Sequence, residues 1–225
     1  MKKHLVILAA LATIAVPAIC SAAPSRPGPY VSGFIGVSVP QNTDVSSYNY
    51  GTDTSISDRV EFDPSVNVGA TGGFDYGFIR LEGELSYKHG KIATITEQSG
   101  GQSTRLHNAD GNLGALAMMF NAFIDLHNPT LITPYVGGGI GFAAMHLSDT
   151  FVSEYSAPIY QEDDDTVFAY QAGAGLELAL NRRLSLDVGY RYFATSNARF
   201  GADRTISTDL KFQSHNAAVG IRVKF

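Results

Sequence analysis

His146 and Ser148 are the residues of this chain whose types and spacing come nearest to a hydrolytic site. A serine hydroxyl acts as a nucleophile when a base lies within hydrogen-bond distance and a third group orients that base. Residues two apart on a strand project to the same face, so the pair is compatible with one site. The flanking sequence offers no positioned acid, and isolated pairs of this kind arise often by chance. Hydrolysis is therefore the less favoured chemistry.

A second chemically active group consists of charged residues that alternate with apolar ones along the chain. We assign to it Arg80, Glu82, Glu84, Asp125, Glu177, Asp187, Arg191 and Arg222, together with Lys88 and Lys224. If these segments are strands, the charged residues share one face and the apolar residues share the other. Opposite charges that are buried together avoid the large cost of burying each charge alone. The pattern therefore predicts a shared charged interior.

The height of each charged residue above the nearest predicted turn divides this interior into layers, since a strand rises by about 3.3 Å per residue. Glu82, Glu84 and Arg191 fall in a middle layer. The lower layer holds Glu177, Asp187 and Arg222. Two interpretations follow: a filled lumen that holds the shape of the protein, or a gate in which Arg191 exchanges acidic partners and passes ions. The narrow radius of a small barrel favours filling.

Eight alternating segments carry these residues. They span about 30–39, 66–76 and 79–88, a fourth ending at Asp125, a fifth beginning near Ile132, and 170–180, 184–192 and 216–225. Short connections near Gly77, Asn128 and Asn181 alternate with long ones at about 40–64, 89–110, 147–166 and 194–212. Membrane barrels have an even strand number, short periplasmic turns and long external loops. The sequence therefore predicts an all-β, eight-stranded antiparallel up-and-down transmembrane barrel with long extracellular loops.

The first 22 residues are typical of a cleaved signal peptide, which leaves residues 23–225 as the barrel domain. Lys2 and Lys3 precede an apolar core that is too short to span a bilayer, and the single cysteine, Cys20, would leave with the peptide. Ile19 argues against a lipoprotein site at Cys20, because such sites place a small residue there. Without Lys2 and Lys3 the chain has 14 basic residues (16 − 2) against 21 acidic ones, which disfavours a nucleic-acid partner.

Several short stretches resemble one family. They are Arg80–Glu84, Asn121–Asp125, Thr133–Gly141, Tyr170–Gly173, Tyr190–Tyr192 and Val219–Arg222. The chain is similar to the eight-stranded outer-membrane barrels related to OmpA and OmpX, and most to their surface-antigen and opacity-protein group. The resemblance implies the outer membrane of a diderm (Gram-negative) bacterium, export through the general secretion route and no cofactor. It implies contact with outer-membrane lipids and lipopolysaccharide, and assembly by periplasmic chaperones and the barrel-assembly machinery, with Phe225 as the assembly signal.

Surface structure, adhesion or antigen display through the long loops is the function that we expect, with an extracellular or host ligand as partner. The alternatives are a narrow passive pore, a soluble lipocalin-like carrier, and a lipid-modifying enzyme at His146 and Ser148, a pair similar to that of outer-membrane lipid A deacylases. We expect the acidic run 161–165 to be a solvated loop. Tyr76, Tyr135 and Phe225 are expected on the lipid-facing girdle near the short turns.

Overall fold

The computed structural model describes residues 27–99, 102–107, 111–126, 128, 130–151, 162–201 and 206–225. The predicted signal peptide and Cys20 lie outside this range, as do Pro129 of the predicted turn at Asn128 and Gln161 of the acidic run. In the part of the chain described, no helix has the length and apolar character needed to cross a membrane.

Eleven β-strands lie within the described residues, and all belong to one antiparallel sheet. They are β1 (Gly28–Pro40), β2 (Thr43–Asn49), β3 (Thr54–Asp63), β4 (Ser65–Asp75), β5 (Ile79–Ser99), β6 (Gln102–His107), β7 (Asn112–Asp125), β8 (Ile132–Leu147), β9 (Asp163–Ala179), β10 (Leu184–Phe200) and β11 (Ile206–Lys224).

Eight of the described strands pair in a closed ring. Its order is β1, β4, β5, β7, β8, β9, β10 and β11, and β11 pairs with β1 from Tyr30↔Lys224 to Pro40↔Ser214. A closed ring leaves no unpaired sheet edge, which is what a lipid environment requires of strands. The predicted eight-stranded up-and-down barrel is therefore confirmed.

Polar side chains and glycine form the short turns at one end of the ring. Gly77 has a positive φ of 101°, and its N–H donates to Asp75 Oδ1 over 2.8 Å. In the next turn but one, Asn181 Oδ1 accepts hydrogen bonds from the N–H groups of Arg183 (2.8 Å) and Leu184 (2.9 Å). Asparagine commonly closes turns in this way because its side chain can replace a backbone acceptor.

Three of the long connections, 40–64, 89–110 and 194–212, differ from the prediction, because much of their described length is strand. β2 and β3 form a hairpin that inserts between β11 and β5 above the ends of β1 and β4. β5 continues upward to Ser99 and pairs there with β6, while β10 and β11 also extend beyond the predicted bounds. The ring therefore continues into a walled extension at the end opposite the short turns, which we call the extracellular extension.

The outer face of the ring is a continuous apolar band. Its exposed members include Val31, Ile35, Leu85, Met118, Phe120, Ile140, Phe142, Val188 and Ile221. On β1 this face carries Val31 and Ile35, while Tyr30 on the opposite parity is buried. Tyr135 was assigned wrongly to the lipid-facing girdle, because its ring is buried in the lumen.

Candidate functional site

A lower ionic layer fills the lumen next to the short turns. Glu177 accepts contacts from Arg222, from Arg80 Nη1 (3.3 Å) and from Lys224 Nζ (3.2 Å). The other ion pairs of the layer are Arg80–Asp125 (3.4 Å), Arg222–Asp187 (3.1 Å) and Lys224–Asp75 (2.8 Å). These side chains come from six different strands, so the layer joins the wall across the lumen.

A middle layer centres on Arg191. Its guanidinium contacts Glu84, and its Nη2 lies 3.3 Å from Glu82 Oε1. Gln171 Nε2 donates to Glu84 over 2.8 Å. Tyr30 donates its hydroxyl proton to Glu82 Oε2 over 2.6 Å. Both carboxylates are thus buried with a cation and a neutral hydrogen-bond donor, an arrangement that offsets the cost of removing them from water.

Sequence reasoning missed several members of these layers, all of them on the inward parity. Asp75, Asn121 and Gln171 are buried there, and Tyr135 donates to Asp187 over 2.8 Å. Inner glycines make room for them, since a Cβ on Gly175 would overlap the Tyr135 ring and one on Gly139 would overlap Asn121. Their parity was visible in the sequence, but Asn121, Gln171 and Tyr135 are neutral and gave no signal of a charged interior. Asp75 is charged and was missed because it is the last residue of its strand, next to the turn at Gly77.

The upper lumen is apolar, which the sequence interpretation did not anticipate. Buried side chains from the ring and from the extension pack there into one cluster. It contains Val45, Val60, Ile92, Ile95, Leu113, Met119, Met145, Leu147, Val167, Phe193, Phe200, Leu210 and Phe212 with several alanines. Phe212 packs against Phe62 and Phe193 with ring centroids 6.4 and 6.2 Å away. We call this cluster the apolar plug.

Lys88 lies at the boundary between the ionic layers and the apolar plug. Its Nζ donates to Ser86 Oγ over 2.7 Å and lies 4.3 Å from the centroid of the Phe193 ring. A cation over an aromatic face is attracted by the quadrupole of the ring, which lets a charged side chain meet the apolar plug. Below it, a small polar cavity remains beside Glu82, Asp187 and Arg191.

His146 and Ser148 lie on the outer wall of the extension and do not bond to each other. His146 Nδ1 lies 2.7 Å from Asp164 Oδ1, so an acid partner that the sequence did not reveal is present. The Ser148 hydroxyl is engaged with Asn112 instead, accepting from its N–H over 2.7 Å and donating to its carbonyl over 3.2 Å. The hydrolase alternative requires this serine to turn toward the imidazole, and it stays a prediction.

The acidic run is strand rather than the predicted solvated loop over Asp163–Asp165, where β9 begins. Asp163 and Asp165 accept backbone N–H bonds from Gly201 (2.5 Å) and Arg199 (2.7 Å) on the top of β10. Within the described ranges, no group of histidine, cysteine or carboxylate side chains has the geometry to hold a metal ion. The carboxylates of the run therefore attach β9 to β10.

An exposed patch at the tip of the β2–β3 hairpin is the most prominent feature of the extension. Tyr48 and Tyr50 pack edge to face with centroids 4.9 Å apart, and they are 36% and 61% exposed. The Tyr48 hydroxyl donates to Asp53, and this bond raises the pKa of the phenol above its ordinary value. Beside the hairpin, Arg199 forms a two-pronged pair with Asp209 (2.9 and 3.4 Å). We call these five residues the tip patch.

The matching family model decides what kind of protein carries these features. It describes an outer membrane protein beta-barrel domain and matches residues 6–225. The chain belongs to this family. It lies in the outer membrane of a Gram-negative bacterium, so the apolar band faces lipid.

Individual proteins that resemble this chain share about a third or less of its residues. The outer membrane protein PagN of Salmonella typhimurium is 26% identical over 239 residues, covering 93% of this chain and 95% of that protein. An uncharacterized Brucella abortus protein is 31% identical over 131 residues, or 48% of this chain and 46% of its own. The crystal structure of OprG from Pseudomonas aeruginosa aligns with a TM-score of 0.60 at 14% identity, over 89% of this chain and 97% of that one. This last likeness shows the fold alone.

Proposed function

We propose that this outer-membrane barrel presents the tip patch to an extracellular ligand and serves in surface attachment or antigen display. The observation that carries the proposal is the placement of two exposed tyrosines, packed against each other, at the tip of a strand hairpin. Tyr48 is held by Asp53 and by the ring of Tyr50. Tyrosine supplies a large contact area at low cost in conformational entropy, and it is enriched among the residues that dominate binding energy.

The apolar plug supports the same proposal from below. Val45 and Val60 of the hairpin are buried in the plug with Ile92, Ile95 and Leu210 from β5 and β11. A hairpin anchored in this way loses little freedom when a ligand binds, and preorganisation of that kind raises affinity. A filled lumen also leaves the outer surface of the extension as the part of the molecule able to meet a large partner.

Attachment of whole cells tests the proposal. The protein is produced in a non-adherent Gram-negative host, either unchanged or with the double change Tyr48→Ser and Tyr50→Ser, and attachment to cultured epithelial cells is counted. We expect the double variant to attach about tenfold less, since removing two aromatic anchors costs more than about 1.4 kcal/mol of binding free energy.

Tyr76→Ser is the matched control. Tyr76 is about as exposed as Tyr50, but it lies next to the periplasmic turn at Gly77, where no extracellular ligand can reach it. Surface amounts are equalised by antibody binding, and folding is checked by the mobility difference between boiled and unboiled gel samples. Unchanged attachment in both the double variant and a variant lacking residues 43–63 would refute the role of the hairpin.

A further inference from the structure

The outer face of β11 changes character at one residue. From the periplasmic end it presents Phe225, Val223, Ile221, Val219 and Ala217. Beyond Ala217 the same face presents His215, Gln213 and Lys211. On a membrane barrel such a change marks the level at which acyl chains give way to lipid headgroups.

His215 is the centre of a hydrogen-bonded network at this level. Its Nδ1 lies 2.5 Å from the Tyr190 hydroxyl, and its Nε2 lies 2.6 Å from Gln41 Nε2. The ring stacks with Tyr190 (centroids 6.0 Å apart, 23° between planes) and contacts Tyr192 at 5.4 Å. Gln213 donates to the Tyr192 hydroxyl over 2.7 Å. The network joins β10, β11 and the end of β1, and it faces outward.

Above this network the outward face of β11 continues with Lys211 and then Asp209. Lys211 is two outward positions beyond His215, opposite Asn197 of β10, and in the described part of the chain no carboxylate pairs with it. Asp209 is engaged by Arg199, and Asp44 lies opposite Arg59 in the β2–β3 register. On the other side of the wall, at β8 and β9, His146 faces Glu162 and Asp164 instead. The two sides of the rim thus differ in charge.

We propose that Tyr190, Tyr192, Gln213, His215 and Lys211 form a binding surface for the phosphorylated glycolipid headgroup of the outer leaflet. The order of the chemistry along β11 matches such a lipid: apolar residues for acyl chains, then aromatic and amide groups for sugar hydroxyls, then a cation for phosphate. Aromatic side chains with one polar end suit a membrane boundary. This surface is independent of the proposed role of the tip patch.

Lipid binding to the refolded full chain in detergent micelles tests the proposal, with native mass spectrometry as the readout. The probes are phosphorylated lipid A, dephosphorylated lipid A and phosphatidylglycerol. We expect Lys211→Gln to weaken binding of phosphorylated lipid A about tenfold, since a charge-assisted hydrogen bond contributes at least about 1.5 kcal/mol. His215→Leu should weaken both forms of lipid A, because it removes contacts to the sugar.

Arg182→Gln is the control for loss of a cation, because Arg182 is exposed in the periplasmic turn at the opposite end of the barrel. Only samples with the gel mobility of folded barrel are compared. Equal affinity for phosphatidylglycerol and phosphorylated lipid A, or equal effects of Lys211→Gln and Arg182→Gln, would overturn the proposal. Attachment by the tip patch is unaffected by either outcome.

Discussion

Arg191 shows at the scale of one residue how this barrel tolerates charge inside a membrane. Its guanidinium forms ion pairs with Glu82 and Glu84, and the rings of Phe34 and Phe123 lie 5.5 Å from its Cζ. Removing one partner from a buried group of charges leaves an uncompensated charge, which costs much more than the net value of the pair. The fold therefore depends on Arg191 whether or not the side chain ever moves.

We predict that Arg191→Met lowers the free energy of unfolding by about 3–5 kcal/mol, because two buried carboxylates lose their cation. Urea unfolding in lipid vesicles, followed by circular dichroism, measures the change. Arg199→Met is the matched control, since its pair with Asp209 is exposed and screened by water. Equal destabilisation by the two changes would contradict the account of the middle layer.

Tyr48 allows a test of the tip patch by pH. A hydrogen bond to Asp53 favours the protonated phenol, so the pKa of Tyr48 lies above that of a free tyrosine. At pH values below the pKa of a free phenol, the hydrogen bond fully stabilises the tip of the hairpin. This stabilisation is lost as the pH rises through the raised pKa of Tyr48. We predict that Asp53→Ala returns the titration of Tyr48 to the ordinary tyrosine range. Observation of the Tyr48 ring by NMR during alkaline titration measures this, with the unchanged protein as the reference.

At the scale of elements, the apolar plug explains why the long connections form strands. Ile92, Leu210 and Phe212 continue the inward parity of β5 and β11 above the band, so their segments gain burial by pairing. A hairpin without such burial is at best marginally stable in water. Burial in the plug therefore favours strand pairing in the extracellular segments, which become part of the barrel wall.

We predict that Phe212→Ala loosens the extension but leaves the membrane ring intact. Loss of a buried phenylalanine costs about 3–5 kcal/mol, and here the cavity would open between Phe62 and Phe193. Protease cleavage within 43–63 should become faster, while amide exchange in β7 and β8 stays slow. Phe142→Ala is the control, because Phe142 faces lipid that can fill the space. Slow cleavage in the Phe212 variant would contradict this view of the extension.

The sequence predicted the ring better than the extension, for physical reasons. Strict alternation in segments such as 79–88 and 216–225 indicated one charged and one apolar face, and the ring has these faces. Above the band both faces change: the outside becomes polar and the inside apolar. Leu210 and Phe212 alternate with Asp209 and Lys211 as clearly as any membrane strand, but with the opposite parity. From the sequence alone this change of parity is indistinguishable from the start of a separate strand, so the inversion of the lining was not predicted.

At the scale of the whole molecule, the lumen is closed twice along its length, by the ionic layers and by the apolar plug above them. The ionic layers leave a small polar cavity beside Arg191, while the apolar plug above them contains side chains that are almost wholly buried. Ions avoid an apolar constriction that does not admit water. A change of partners by Arg191 would therefore loosen only the middle ionic layer and would leave the lower ionic layer and the apolar plug closed. The narrow-pore alternative requires the plug to open as well.

We predict that the refolded chain is silent in a planar bilayer and that Arg191→Gln remains silent, because the plug is unaffected. Removal of residues 43–63 together with Arg191→Gln and Arg222→Gln should give openings, since Val45 and Val60 leave the plug and each ionic layer loses a cation. Single-channel recording distinguishes these cases, and the deletion alone is the control. Steady openings of the unchanged protein that disappear in Arg191→Gln would instead make the pore the leading function.

The alternation of the β2–β3 hairpin bears on how this surface can evolve. Val45 and Val60 point into the plug, whereas Asp44, Ser46 and Arg59 point outward. Outward residues can change at little cost in stability, and inward ones cannot. Insertion of a single residue would turn every following side chain to the other face. Antigenic drift in this hairpin should therefore follow a period of two in substitutions, and length changes should come in even numbers.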